Sequence, residues 1–227
     1  MAMKAVAVVP TRRRSMRVPE KNVRTIWKGL SLLQLKVMVL QRCQNIASII
    51  VSSDDDIALE QAVAVGAVPS YRDPRLCDDH VDLGELFSDV LAPFQNEIVY
   101  WAHPTSPFVT AATIDAAVQR VLTEPTKCVL GVQRLQEFLW SRDGPINYDP
   151  LNQPRSQDLS PMWRVTGGIH MATGHAFIER GALAFEPMAF HELSIAEGLD
   201  INDEGDWTFC AGVAPIFLPR VLGSALP

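Results

Sequence analysis

The sequence predicts an α/β protein built on a mainly parallel, mixed sheet flanked by helices. Apolar runs alternate with helical patterns through about residue 133, and the strand-like runs are continuous Val, Ile and Ala rather than apolar and polar in turn. Continuous apolar strands are what a parallel sheet needs when helices cover both of its faces. The third observation is that three polar loops, Thr11 to Asn22, Ser52 to Asp56 and His103 to Phe108, each follow such a run. In open sheets of this kind ligands collect beyond the carboxyl ends of the strands, so the three loops are expected to share one rim.

In chain order, KAVAVVP reads as the first strand, LLQLKVMVLQRC as a helix, ASIIVSSD as a strand, DIALEQAVAVGA as a helix and VPSYR as a strand. That is a βαβαβ rhythm. LGELFSDVLAPF then reads as a helix with Asp82 as its N-cap, EIVYWA as a strand, TAATIDAAVQRVLTE as a helix opened by Thr110, and KCVLGVQ as a strand. Residues 134–163 are rich in Pro, Asn, Asp and Arg and follow neither period. A stretch of that length predicts an active-site flap or an arm that packs on another subunit. Beyond it GGIHMAT resumes as a strand, GHAFIERG is a short helix, and GLDINDEGDWTFCAGV is a strand end leading into a helix. The expected organisation is one domain over 1–227, with His191 in an apolar loop and the acids of SSDDD capping the next helix.

Composition narrows the function. With 48% hydrophobic and 20% charged residues the chain can bury a sizeable core, and its formal charge of −6 argues against nucleic acid or a membrane surface as partner. The four cysteines are widely spaced, with no C-x-x-C pair to suggest zinc or a redox dithiol. That spacing, the lack of a leader and the lack of an apolar run approaching about 18 residues lead to the expectation of a soluble, unprocessed cytoplasmic protein.

Against that acidic background, VVPTRRRSMRVPEKNVR gathers Arg12, Arg13, Arg14, Arg17, Lys21 and Arg24 just after the first strand. Arg forks and a Lys in that position suit a polyphosphate, although charge alone fits a solvated basic turn equally well. Neither glycine-rich cradle, G-x-x-x-x-G-K-[ST] or G-x-G-x-x-G, occurs. Asp200, in LDINDEGDW, is either a carboxylate ligand for a hard cation or a loop or N-cap residue. His103 reads as a structural residue or a hydrogen-bonding one; its neutral form could accept a proton near pH 7, but no general base is assigned.

The fuller loop, PTRRRSMRVPEKN, resembles the PAR-x-x-S-K-R-x-P-x-K-N signature of the acylneuraminate cytidylyltransferase family. Further segments are similar in the same order from about residue 4 to 212: IIVSSDDDIALEQAVAVGA, AHPTSPF to QPTSPL, QPRSQ and WRVTGGIHM to PRQ and FRPNGAIYI, and LDINDEGDW to IDIDTEEDW. The resemblance implies a Rossmann-like nucleotide-diphospho-sugar transferase fold with a dimerisation arm at 134–163, and hence a homodimer. It implies attack by the anomeric hydroxyl of a keto sugar acid on the α-phosphate of CTP, with release of pyrophosphate and magnesium as cofactor. By the same resemblance Arg12 and Lys21 bind phosphate, Ser15 lies in the loop that can hydrogen-bond phosphate, Asn22 lines the nucleotide, and Arg72 takes the place of a cytosine-contacting arginine. Asp200 and Asn202 fall on the metal-binding aspartates, Arg155, Gln157 and Arg164 near the sugar acid, and His103 and Thr166 on polar positions beside ribose or sugar.

Three departures mark the same pocket. The second aspartate of the family's D-x-D is Asn202, its glutamine before P-T-S-P is His103, and the asparagine of N-G-A-I-Y is Thr166. An amide offers oxygen but no charge, so metal affinity is expected to fall. Two readings therefore stand beside transfer to a nonulosonate: transfer to a shorter keto sugar acid or another acidic metabolite, and a non-catalytic nucleotide- or sugar-acid-binding homologue with a weakened metal site.

Overall fold

A computed structural model describes residues 4–124 and 127–223; residues 1–3, 125–126 and 224–227 of the expected domain lie outside it. In chain order the elements are β1 (Ala5–Pro10), β2 (Thr25–Trp27), β3 (Leu30–Ser31), α1 (Leu32–Leu40), β4 (Ile46–Ser53), α2 (Asp56–Ala64), β5 (Val68–Tyr71), α3 (Leu83–Val90) and β6 (Ile98–Trp101). They continue with α4 (Ala111–Thr123), β7 (Cys128–Leu135), β8 (Trp140–Ser141), β9 (Gly144–Pro145), β10 (Met162–Thr173), α5 (Gly174–Arg180), β11 (Met188–Glu192) and α6 (Glu204–Leu222).

Seven strands form one sheet in the order β11-β7-β10-β6-β1-β4-β5, in which β10 runs antiparallel to both of its neighbours and the other pairings are parallel. In β1, Ala5, Ala7 and Val9 face a core completed by α1, α4 and α6, while Val6 and Val8 face a second core with Leu86 and Phe87 of α3 and Phe177 of α5. Both faces are covered, which is why the strand reads as an unbroken apolar run.

The helices start where short polar side chains can satisfy free N–H groups. Asp55 caps α2, Asp82 caps α3 and Thr110 caps α4, and Asp203 with Asp206 forms a capping box on α6. The acids after β4 and Asp82 therefore do the structural work expected of them.

Three segments differ from the sequence expectation. β10 begins at Met162 rather than near Gly167, because β7 runs on to Leu135 and pairs with it, Met162 opposite Leu135 and Trp163 opposite Arg134. At this end Trp163, Arg164 and Val165 of β10 and Arg134 of β7 are exposed, so no apolar run announces it. His191 lies in β11, an edge strand parallel to β7, rather than in a loop. Asp200 lies in a loop before α6 rather than at a strand end, held beside the sheet where Ile201 N–H donates to Thr105 O at 2.9 Å. The 134–163 segment carries the two-residue hairpin strands β8 and β9 and short 3-10 turns.

Candidate active site

The loops after β1, β4 and β6 do share a rim. Thr11 N–H donates to Ser52 O at 2.9 Å, and Arg13 N–H to Asp54 Oδ1 at 2.8 Å. A cleft of about 400 Å³ opens there, and a second of about 240 Å³ adjoins it; Gly167, Asp200 and Asn202 line both.

The basic loop divides its charges. Arg12, Ser15, Arg17, Lys21 and Asn22 line the larger cleft. Glu20 takes a left-handed φ of 52° and its carbonyl accepts from Val23 and Arg24 N–H, closing the turn that presents Lys21 and Asn22. Arg13 lies near Asp55 and Asp56, and Arg14 is exposed. Arg24 pairs with Glu204 at 2.9 Å and stacks 4.3 Å from the centre of the Trp207 ring, fastening the loop to α6.

The cleft-facing charges are held at defined points. Arg12 pairs with Asp79 and donates to Cys77 O at 3.2 Å. Lys21 Nζ donates to Ile201 O at 2.8 Å; burial, partly offset by Asp200, pushes its ammonium below the ordinary lysine value. Asn22 Oδ1 is a buried acceptor with no hydrogen-bond partner among the described residues, in a residue lining the cleft. Arg72 is buried in the wall, bracing Thr11 O and the Cys77 thiol with its guanidinium.

Beyond these groups the cleft turns apolar, lined by Leu76, Val81, Leu83, Leu86, Trp101 and Leu183. His103 also lines this cleft, its ring edge-on to His170 with centroids 5.5 Å apart. Burial, reinforced by His170, pushes the imidazole of His103 down to about 3. It is therefore neutral near pH 7 but too weak a base to take a proton there. It remains a hydrogen-bonding group.

Asp200 is fixed by the loop after β6. Its Oδ1 accepts from the hydroxyls of Thr105 and Ser106, and its Oδ2 from Asn202 Nδ2 at 3.0 Å. Asn202 Oδ1 lies 3.5 Å from Arg17 Nη2, while Asp206 accepts from Asn202 N–H and Asp203 N–H as part of the cap of α6. Gly167 fits tightly against this carboxylate: a Cβ there would stand 3.0 Å from Ser106 Oγ and 3.1 Å from Asp200 Oδ1.

The smaller cleft contains Arg164 and Thr166. Arg164 donates to the Gln133 side chain, and the Thr166 hydroxyl is used on the backbone, donating to Gly131 O and accepting from Gly168 N–H, both at 3.2 Å. Arg155 and Gln157 are not brought into either cleft of this chain. Arg155 is exposed and pairs with Asp158 at 2.8 Å, and Gln157 is exposed on the same turn.

Thr105, Ser106, Arg17 and Lys36 carry no role expected from the sequence. The first two lie in the PTSP run and the third in the basic signature, so all three were legible there; Lys36 showed only as a lone charge inside LLQLKVMVL.

A family model described as cytidylyltransferase matches residues 6–154. The chain belongs to the cytidylyltransferase family. It is 30% identical over 219 residues to the CMP-N,N'-diacetyllegionaminic acid synthase of Legionella pneumophila, covering 90% of this chain and 94% of that one. It is 22% identical over 198 residues to the pseudaminic acid cytidylyltransferase of Campylobacter jejuni, covering 82% of this chain and 84% of that one. Among solved structures, a CMP:2-keto-3-deoxy-manno-octonic acid synthetase complexed with CTP superposes with a TM-score of 0.72 at 15% identity, covering 93% of this chain and 98% of that one. The fold is thus that of this group of Rossmann-like nucleotidyltransferases.

Proposed function

We propose that this cytidylyltransferase transfers CMP from CTP to the anomeric hydroxyl of a nonulosonate. The observation that carries the reading is the junction of the two clefts at Gly167, Asp200 and Asn202, with the cationic loop in one and Arg164 in the other. A triphosphate in the first and a sugar acid in the second would meet at Asp200. The names of the relatives support the acceptor class: one is named for diacetyllegionaminic acid and another for pseudaminic acid.

In this reading Arg12 and Lys21 neutralise phosphate oxygens, Ser15 and Asn22 hold the nucleotide, and Arg72 braces the wall beside the base. Arg164 pairs with the acceptor's carboxylate, with Thr166 beside it. The acceptor's hydroxyl oxygen bonds to the α-phosphorus as the bond to the bridging oxygen breaks; pyrophosphate leaves and the hydroxyl proton passes to water. Positioning and charge neutralisation carry most of such a transfer.

Among the described residues, no three His, Cys, Asp or Glu side chains are grouped to hold a metal ion alone. Magnesium, however, is commonly held by one or two carboxylates together with phosphate oxygens. Asp200 with Asn202 fits that mode once nucleotide is bound, and the ion would supply further screening of phosphate charge.

The homodimer belongs to the same proposal. Trp140, Ile146 and Leu151 on the 134–163 segment and Trp163 and Val165 on β10 are exposed, which favours burial against a second copy. Arg155 and Gln157 would then serve the partner's site, and sedimentation equilibrium tests the dimer. A cytoplasmic setting is supported by four free, buried cysteines. No described helix is long and apolar enough to cross a membrane.

Pyrophosphate release from CTP, magnesium and a panel of keto sugar acids tests the transfer. Release with nonulosonates is expected. Release only with a shorter acid would replace the acceptor, and CTP binding without release would replace catalysis by binding.

A further inference from the structure

Lys36 sits in the middle of α1, among Leu32, Leu33, Leu35 and Val37, and is only 2% exposed. It lines neither cleft. Its ammonium donates to Ser106 O at 2.8 Å. Burying a charge among aliphatic side chains is costly, and a Leu or Met at this point of the helix would carry no such cost. What the ammonium holds is the loop after β6. Ser106 and its neighbour Thr105 donate their hydroxyls to the same oxygen of Asp200, and Thr105 O accepts from Ile201 N–H.

We propose that Lys36 is a positioning residue for the transfer: its ammonium fixes the Thr105–Ser106 turn, and through those hydroxyls the Asp200 carboxylate at the junction of the clefts. The role rests on the transfer proposed above. The ionisable groups whose fields reach the ammonium are Cys43 beyond the end of α1, Asp200 before α6 and His103 after β6. Cys43 is pushed up to about 12 by burial and His103 down to about 3, so both are neutral near pH 7 and Asp200 is the charge that complements Lys36.

Lys36→Met removes the donor and keeps the apolar stem; Lys36→Gln keeps a donor without charge. For Lys36→Met, kcat is expected to fall by about tenfold or more while KM for CTP stays within about twofold, because the phosphate-binding residues are untouched. Lys36→Gln should recover part of that loss, which mere filling of the space would not produce. Hydrogen exchange supplies a readout without acceptor: the Ile201 amide should exchange about tenfold faster in Lys36→Met, while the amides of α2 stay unchanged.

Wild-type kcat retained in Lys36→Met, with Ile201 exchange unaltered, would overturn the proposal. If the wild type turns over no acceptor, the transfer reading fails and the exchange arm alone decides the role of Lys36. If Lys36→Met does not fold, Lys36→Gln decides: intermediate exchange at Ile201 supports the tether, and wild-type exchange and rate with the charge gone refute it.

Discussion

The buried Lys36 ammonium makes a prediction about stability that is separate from its effect on rate. Burial pushes it down to about 8 from the ordinary 10.5, and the gap corresponds to about 3 kcal/mol. The folded pKa lies below the unfolded one, so between pH 8 and 10.5 the unfolded chain holds more proton at this site than the native one does. Stability contributed by this group therefore rises with pH across that window, and below it the charged form costs its full amount. Lys36→Met removes the cost and also the charge-assisted hydrogen bond to Ser106, worth about 2 kcal/mol. The variant should be more stable than the wild type by about 1 kcal/mol at pH 7, an increase in Tm of roughly 2–4 °C for a chain of this size. Urea or thermal unfolding of both proteins at pH 7, 9 and 10 measures it, and the advantage should shrink as pH rises. A variant less stable than wild type at pH 7, or a difference that does not change with pH, would refute the reasoning. A more stable but slower variant is the signature of a charge retained for the reaction rather than the fold.

Three other changes have definite outcomes. Lys21→Ala should weaken CTP binding by about 10- to 100-fold, the worth of a charge-assisted contact, and Arg13→Ala by less than about threefold; equal losses in calorimetric titration would mean that the cluster acts as a diffuse field. Asn202→Asp should lower the magnesium midpoint for activity by about threefold or more, and an unchanged midpoint would place residue 202 outside the metal's coordination. Gly167→Ala should lower kcat by about tenfold or more with little loss of Tm, because its Cβ meets Ser106 and Asp200 at 3.0 and 3.1 Å; wild-type kcat would show that the carboxylate's placement is not critical.

The sheet was legible where burial on both faces makes a strand unbrokenly apolar, as in β1 and β6. The exposed edge strand β5 was also read, from VPSYR, but two other partly exposed strand segments were not. The first residues of β10 and all of β11 mix Arg, Thr, His and Glu with apolar residues, and tertiary pairing with β7 makes them strands. In the site, the basic signature placed Arg12, Ser15, Lys21 and Asn22 in one cleft because they share one loop at one strand end. Asp200 stood out as a carboxylate in a motif, but what fixes it did not, since Lys36, Thr105 and Ser106 come from a helix and a loop far away in sequence. Arg155 and Gln157 could not be placed from sequence either, because their segment packs its own ion pair to Asp158 away from both clefts of this chain.

The central claim is that the two clefts join a cytidine nucleotide to a sugar acid at Asp200. Phosphorus NMR of the protein with CTP, magnesium and a nonulosonate tests it most directly. The account predicts a new phosphodiester signal and pyrophosphate growing in equal amounts, both abolished by Asp200→Ala in a protein that still binds CTP. Pyrophosphate without the phosphodiester, or full turnover in Asp200→Ala, would contradict it.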